Sequence, residues 1–369
     1  MRMSSRAARR CLFAVLVACA SFSVIQPASA SGQVPRATRA PEIQRGIDTY
    51  FTYGCQAIGT IKKWAETEVA QFKALGANSI GIGFPLFTTS MTSNDVFAWT
   101  SCWEARTYRT PPPWVIAVVV QIAHAAGLKV FLRPLIDQEN LAAQNPFNWR
   151  GKLRPTNVSL WFAKYFYTLR PYLQMAQREK VQYFAIQTEL DSLADLSDWT
   201  SLIAKSKLQY SAGDLEVSYS WDTSAEKVLR AHTIFGFDAY PKMPAFGVSA
   251  TPNQLLSGWN FLLLHRPSYA VPNLPAATIS EIGIAALDGA YAHPASGGTP
   301  GEQFNQQIQA NWFTAACAFM TEHKLQGIYF WGPWLGRDHG SLPTGPDRAH
   351  TINIQPVAQR AIKRCFTGT

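Results

Sequence analysis

Glu189 and Glu281 each close an apolar run rich in strand formers, Val181 to Leu190 (VQYFAIQTEL) and Ala276 to Ile282 (AATISEI). A carboxylate at the C-terminal tip of a strand buried on both faces is costly unless it is solvated or used. The two are 92 residues apart, which fits three βα units of about thirty residues each. That spacing puts them at the ends of the fourth and seventh strands of one α/β barrel, on the same face. A carboxylic acid that protonates a poor leaving group, beside a carboxylate that attacks or steadies an oxocarbenium-like centre, is the equipment for cleaving a glycosidic bond. Either residue alone reads as well as a surface ion-pair partner, so the weight rests on the pair.

The rest of the chain supplies the elements that would position them. Strands are expected at Gly46 to Gly54, Ser79 to Phe84, Leu128 to Leu135, Leu215 to Trp221, Thr233 to Tyr240 and Gly327 to Trp331, in addition to the two above. Between them lie helical patterns: Ile61 to Leu75, Val115 to Ala126, Ser159 to Lys180 with a kink or break expected at Pro171, Trp199 to Ile203, Asn253 to His265, Phe304 to Phe319, and a closing helix over 354–366. Eight strands alternating with helices predict a single (β/α)8 TIM barrel over 46–369. Pro85 is expected to open a long loop to Thr110, and Pro294 to Gly301 to form either a flap or a plain connection.

Barrel chemistry collects at the C-terminal strand ends. The candidates there are Tyr53, Arg133, Asp137, Glu189, Trp221, Tyr240, Glu281 and Trp331, with Trp334 just beyond, and Trp149 and Arg150 on the loop after strand three. Arg133 reads equally as a sugar contact or as the partner of Asp137 across the strand end. Tyr240 has the alternative of a buried tyrosine bonded to backbone, and Trp331 that of a core residue.

Residues 1–30 read as an export signal: Arg2, Arg6, Arg9 and Arg10, then an apolar run from Cys11 to Val24, then Ala28-Ser29-Ala30 as a cleavage site. The mature protein is expected to be secreted or periplasmic, with 31–45 as a flexible lead-in. A lipoprotein box ending at Cys19 competes with this, but the eight apolar residues before it are short. No later run is long enough to span a membrane. The formal charge of +9 includes those four arginines, and without a basic run nucleic-acid binding is unsupported. Seven histidines show no ligand spacing and no metal or other cofactor is expected, nor is there a GxSxG elbow or a phosphate loop. Twelve tryptophans suit a cleft for pyranose rings but fill cores equally well. The chain is read as a monomer acting on a polysaccharide or oligosaccharide.

Four cysteines follow the signal, and four allow three pairings. Cys55 and Cys102 fall in the loops after the neighbouring first and second strands, and Cys317 and Cys365 on the helix after strand seven and the final helix. The expected disulfides are Cys55–Cys102 and Cys317–Cys365.

Six segments carry a resemblance: ALGANSIGIG at 74–83, FNWRGKLRP at 147–155, FAIQTELDSL at 184–193, FDAYP at 237–241, ISEIG at 279–283 and YFWGPW at 329–334. With them the chain resembles the clan A glycoside hydrolases, most closely the family 113 β-mannanases, over 46–365. The resemblance implies a retaining mechanism with Glu189 as acid/base and Glu281 as nucleophile. It implies Tyr240 as hydrogen-bond donor to the nucleophile and Trp331 as the platform beneath the sugar. Thr188 departs from the clan, which usually has a sugar-binding asparagine there. The alternatives are hydrolysis of another glycan such as glucan, xylan or exopolysaccharide, and a non-catalytic carbohydrate-binding barrel.

Overall fold

A computed structural model describes residues 42–103, 108–222, 233–264, 276–298, 301–342, 344–346, 349 and 353–368. The expected signal, the lipoprotein cysteine and nearly all of the lead-in lie outside them. Eight parallel strands close into a barrel in sequence order, β1 pairing with β8: β1 (Gln44–Tyr50), β2 (Ser79–Leu86), β3 (Lys129–Ile136), β4 (Tyr183–Thr188), β5 (Asp214–Ser220), β6 (Ile234–Asp238), β7 (Ala277–Ile282) and β8 (Gly327–Trp334). The expected (β/α)8 barrel is the fold observed. β1 starts two residues before the expected boundary.

The helices are α1 (Ile58–Ala74), α2 (Pro113–Ala125), the short α3 (Gln138–Ala142), α4 (Val158–Glu179), α5 (Asp198–Gln209), α6 (Pro252–Leu264), α7 (Gln306–Glu322), the short α8 (Leu335–Asp338) and α9 (Pro356–Thr367). In α1 the apolar spacing turns Ile61, Ala65, Val69 and Phe72 onto the barrel. α4 begins with Asn157 accepting from the Leu160 N–H at 3.0 Å and runs unbroken through Pro171. Pro171 lies on the exposed face, where water can satisfy the carbonyl its ring leaves unpaired. No described helix is long and apolar enough to cross a membrane.

Pro85 likewise does not end β2, which continues to Leu86 against β3. β1 has stopped pairing at Gly83, so the strand there has a partner on one side only, where a ladder tolerates proline. Disulfides join Cys55 to Cys102 and Cys317 to Cys365, the expected pairs.

The barrel axis is polar midway up. Asp48, Arg133, Glu216, Ser218, Asp238 and Ser280 are all buried there. Gly81 makes room for one of them, since a Cβ at that position would collide with the Asp48 carboxylate.

Candidate active site

At the C-terminal ends of the strands lies a cleft of about 790 Å³, lined among others by Tyr50, Asp137, Trp149, Arg150, Glu189, Trp221, Tyr240, Glu281, Trp331 and Trp334. Its floor has its own apolar cluster of Tyr50, Leu135 and Trp331, with Trp334 against it, separate from the main core.

Glu281 comes from β7, where strict alternation fails. Ser280 donates to Glu216 Oε1 at 2.5 Å, and the very next side chain, Glu281, also reaches the barrel axis. The β6–β7 and β7–β8 registers both slip around this point, which allows two consecutive residues to face inward. Tyr240 donates its hydroxyl to Glu281 Oε1 at 2.6 Å, and Arg133 Nη1 donates to Oε2 at 2.7 Å. Tyr240 therefore spends its hydroxyl on a carboxylate and not on backbone.

Glu189 follows the last residue of β4 in the left-handed region, with φ of 51°. That conformation is costly for a residue with a side chain, and such outliers gather at functional sites. Its N–H stays on the β5 ladder through Ser218 O at 2.8 Å while the side chain turns over the cleft. Arg150 Nη1 meets Glu189 Oε2 at 2.7 Å and is itself held by Nε donating to Ile136 O at 2.8 Å. Burial pushes the Glu189 carboxyl up to about 7; Arg150 opposes this, and the nearby Glu281 and Asp191 add to it.

Arg133 is neither a sugar contact nor the partner of Asp137. It is completely buried beneath the cleft floor, and its Nη2 donates to Asp238 Oδ1 and Oδ2 at 2.8 and 2.9 Å. Its Nη1 also reaches Asp48 Oδ2 at 3.0 Å. Burial raises both Asp48 and Asp238, Arg133 lowers them, and Glu281 raises them further. One guanidinium faces three buried carboxyls, and this excess of negative charge together with burial disfavours the ionised forms of Asp48 and Asp238.

Asp137 lines the cleft and caps α3, accepting from the Asn140 N–H at 2.7 Å. Trp149 also lines it, its ring lying so close over Gly151 that no Cβ would fit there. Trp221 lines the cleft from the end of β5 while packing against the main core. Ala295 and Gly297, in the glycine-rich loop after β7, reach the cleft as well. Tyr53 does not: it belongs to the main core, and the tyrosine of β1 in the cleft is Tyr50. β1 ends at Tyr50 and not at Gly54, which shifts the tip by several residues.

Sequence reasoning passed over Tyr50, Asp48 and Asp238, and also Tyr108, Glu139, Lys242 and Arg337, all four of which line the cleft. A signal existed for Asp48 and Asp238, each an acid inside an apolar strand pattern. Chemically, the arrangement can hand a proton to a leaving group from one carboxyl and present the other to an electrophilic carbon.

The sequence profile of glycoside hydrolase family 113 matches residues 51–340. Among solved structures, a family 113 β-1,4-mannanase superposes with a TM-score of 0.67 at 15% identity, covering 89% of this chain and 100% of that one. The family 113 β-mannanase of Alicyclobacillus acidocaldarius gives 0.64 at 18% identity, over 89% and 98%. The β-D-glucuronidase of Dictyoglomus thermophilum gives 0.51 at 14% identity, over 89% of this chain and 51% of its own. No curated protein matches the chain. These likenesses agree with the barrel, and the family match over most of its length identifies the chain as a member of glycoside hydrolase family 113.

Proposed function

We propose that this protein is an exported, retaining glycoside hydrolase that cleaves a β-linked polysaccharide of the mannan type. One observation carries the reading: two carboxyl groups share one cleft in opposite environments. Glu281 accepts two short hydrogen bonds from Tyr240 and Arg133, which aim it as the nucleophile. Glu189, raised to about 7 by burial, starts as the protonated acid and becomes the base that activates water. Trp331 forms the apolar platform beneath the sugar, while Asp137, Trp149, Arg150, Trp221 and Trp334 contact it along the cleft.

In the first step Glu281 attacks the anomeric carbon as Glu189 protonates the departing oxygen. Water assisted by Glu189 then cleaves the glycosyl ester. The mannan assignment is supported by the family match and by two family 113 β-mannanases among the structural relatives. Export is supported by the amino-terminal signal pattern and by two disulfides, which persist in oxidising compartments. Residues 31–45 serve as the lead-in to a single catalytic domain.

Initial rates on purified mannan, glucan, xylan and bacterial exopolysaccharides test the substrate. Cleavage of another glycan with none of mannan overturns the substrate and leaves the mechanism. Proton NMR of the first product tests the mechanism: retention gives a β-anomer from a β-linked substrate, and an initial α-anomer would make Glu281 a base.

A further inference from the structure

The segment between β2 and α2 folds back on itself as a pinned loop. Thr110 N–H donates to Trp99 O at 2.9 Å, and Trp99 N–H donates to Thr110 Oγ1 at 2.8 Å. The buried Arg109 donates from Nε to Ser101 O at 2.8 Å. Cys102 is cross-linked to Cys55 in the segment after β1, with a Cα–Cα distance of 5.9 Å. Four restraints thus hold a few residues in place. The next residue, Trp103, is 98% exposed, more than any other large apolar residue described. A core role is excluded by that exposure, and a loop needing only solubility would not carry its largest apolar side chain in water.

The same loop returns to Tyr108, which lines the cleft and packs edge-on against Trp334 at 5.5 Å. Trp334 meets Tyr50 at 5.1 Å, and Tyr50 meets Trp331 at 5.8 Å. An unbroken line of aromatic rings therefore leads from the cleft floor to this loop. Trp103 and Tyr108 are five positions apart in the chain, a span of at most about 17 Å, within reach of a glycan that leaves the cleft along that line.

We propose that Trp103 is a stacking platform for a pyranose unit of the polysaccharide chain outside the cleft. The flat indole would meet the C–H face of a sugar, and the restraints on its loop would spare the chain the entropy of ordering it on binding. The identity of the ligand rests on the polysaccharide reading given above.

Affinity electrophoresis in gels containing soluble mannan, glucan or xylan reads binding without requiring turnover, and kcat/KM on the same polymers and on an aryl glycoside reads catalysis. Trp103→Ala should weaken retardation and lower kcat/KM on the polymer about three- to tenfold, the factor for losing one stacked ring. Its kcat/KM on the aryl glycoside should not change, and Trp103→Phe should fall between. If the wild type binds or cleaves a glycan and Trp103→Ala matches it, the inference is overturned. An equal loss on polymer and aryl glycoside overturns it too, since that marks a structural role. A wild-type protein neither retarded by nor active on any of these glycans sinks the polysaccharide reading, and the inference with it.

Discussion

Arg133 has no exposed surface, yet its Nη1 donates to Glu281 Oε2 at 2.7 Å, so a carboxylate that opens on the cleft is aimed by a residue no substrate meets. The other arm of the same guanidinium is clamped by Asp238 through both carboxylate oxygens. Arginine suits this place because its planar fork serves two directions at once. Arg133→Lys should lower kcat about 100-fold with little change in KM, the scale for misplacing a reacting group by an ångström. Arg133→Met leaves three buried carboxyls without their cation and should cost about 3–5 kcal/mol of stability, read from urea denaturation midpoints.

Glu281→Ala should abolish turnover, because no glycosyl ester can form. Added azide should restore part of it on an activated aryl glycoside by entering the vacated face, giving a glycosyl azide of inverted configuration identifiable by NMR. Rescue of Glu189→Ala through the same inverted product, with none for Glu281→Ala, would exchange the two roles. A crystal structure should hold the two carboxyl groups about 5–5.5 Å apart.

The basic limb of the pH–rate profile should fall near 7, where Glu189 loses the proton it must donate. Arg150 holds that carboxyl lower than burial alone would. Arg150→Gln should therefore move the basic limb to higher pH in kcat/KM measurements, and a shift to lower pH would contradict the pairing.

Glu68 is buried on α1 and is raised from the ordinary 4.5 to about 8 by burial, which a hydrogen bond to Thr49 partly offsets. A carboxyl raised in the folded state binds its proton more tightly there than in the unfolded chain. Stability is thus lost as pH rises from about 4.5 to about 8. The loss attributable to this residue is on the order of 5 kcal/mol, since one pKa unit corresponds to about 1.4 kcal/mol. Denaturation midpoints of wild type and Glu68→Gln across this range should diverge as pH rises, with the glutamine variant less pH-dependent.

Cys317 and Cys365 are 48 residues apart and tie α7 to α9, the helices before and after β8. Replacing both by alanine should cost about 4 kcal/mol in the chain-entropy picture. Guanidinium midpoints check the magnitude, and activity at low temperature should survive because the pair lies away from the cleft.

The alternation of strand and helix, the barrel it implies, both disulfide pairings and the two strand-end glutamates were all legible in the sequence, because each depends on local period or on order along the chain. Depth was not legible. Arg133 and Tyr240 both read as strand-end residues, yet one lies beneath the floor and the other lines the cleft, and strand tilt and stagger in the closed barrel decide between those layers. Tyr50 and not Tyr53 reaches the cleft because β1 stops pairing at Tyr50, a boundary that nothing local in the sequence marks. Glu281 faces inward beside Ser280 only because the registers of β7 slip against both neighbours. The meeting of Asp48, Arg133, Asp238 and Glu281, drawn from four strands, is likewise a product of closure: residue types are written along the chain, but which of them share one buried charge depends on how the strands are staggered.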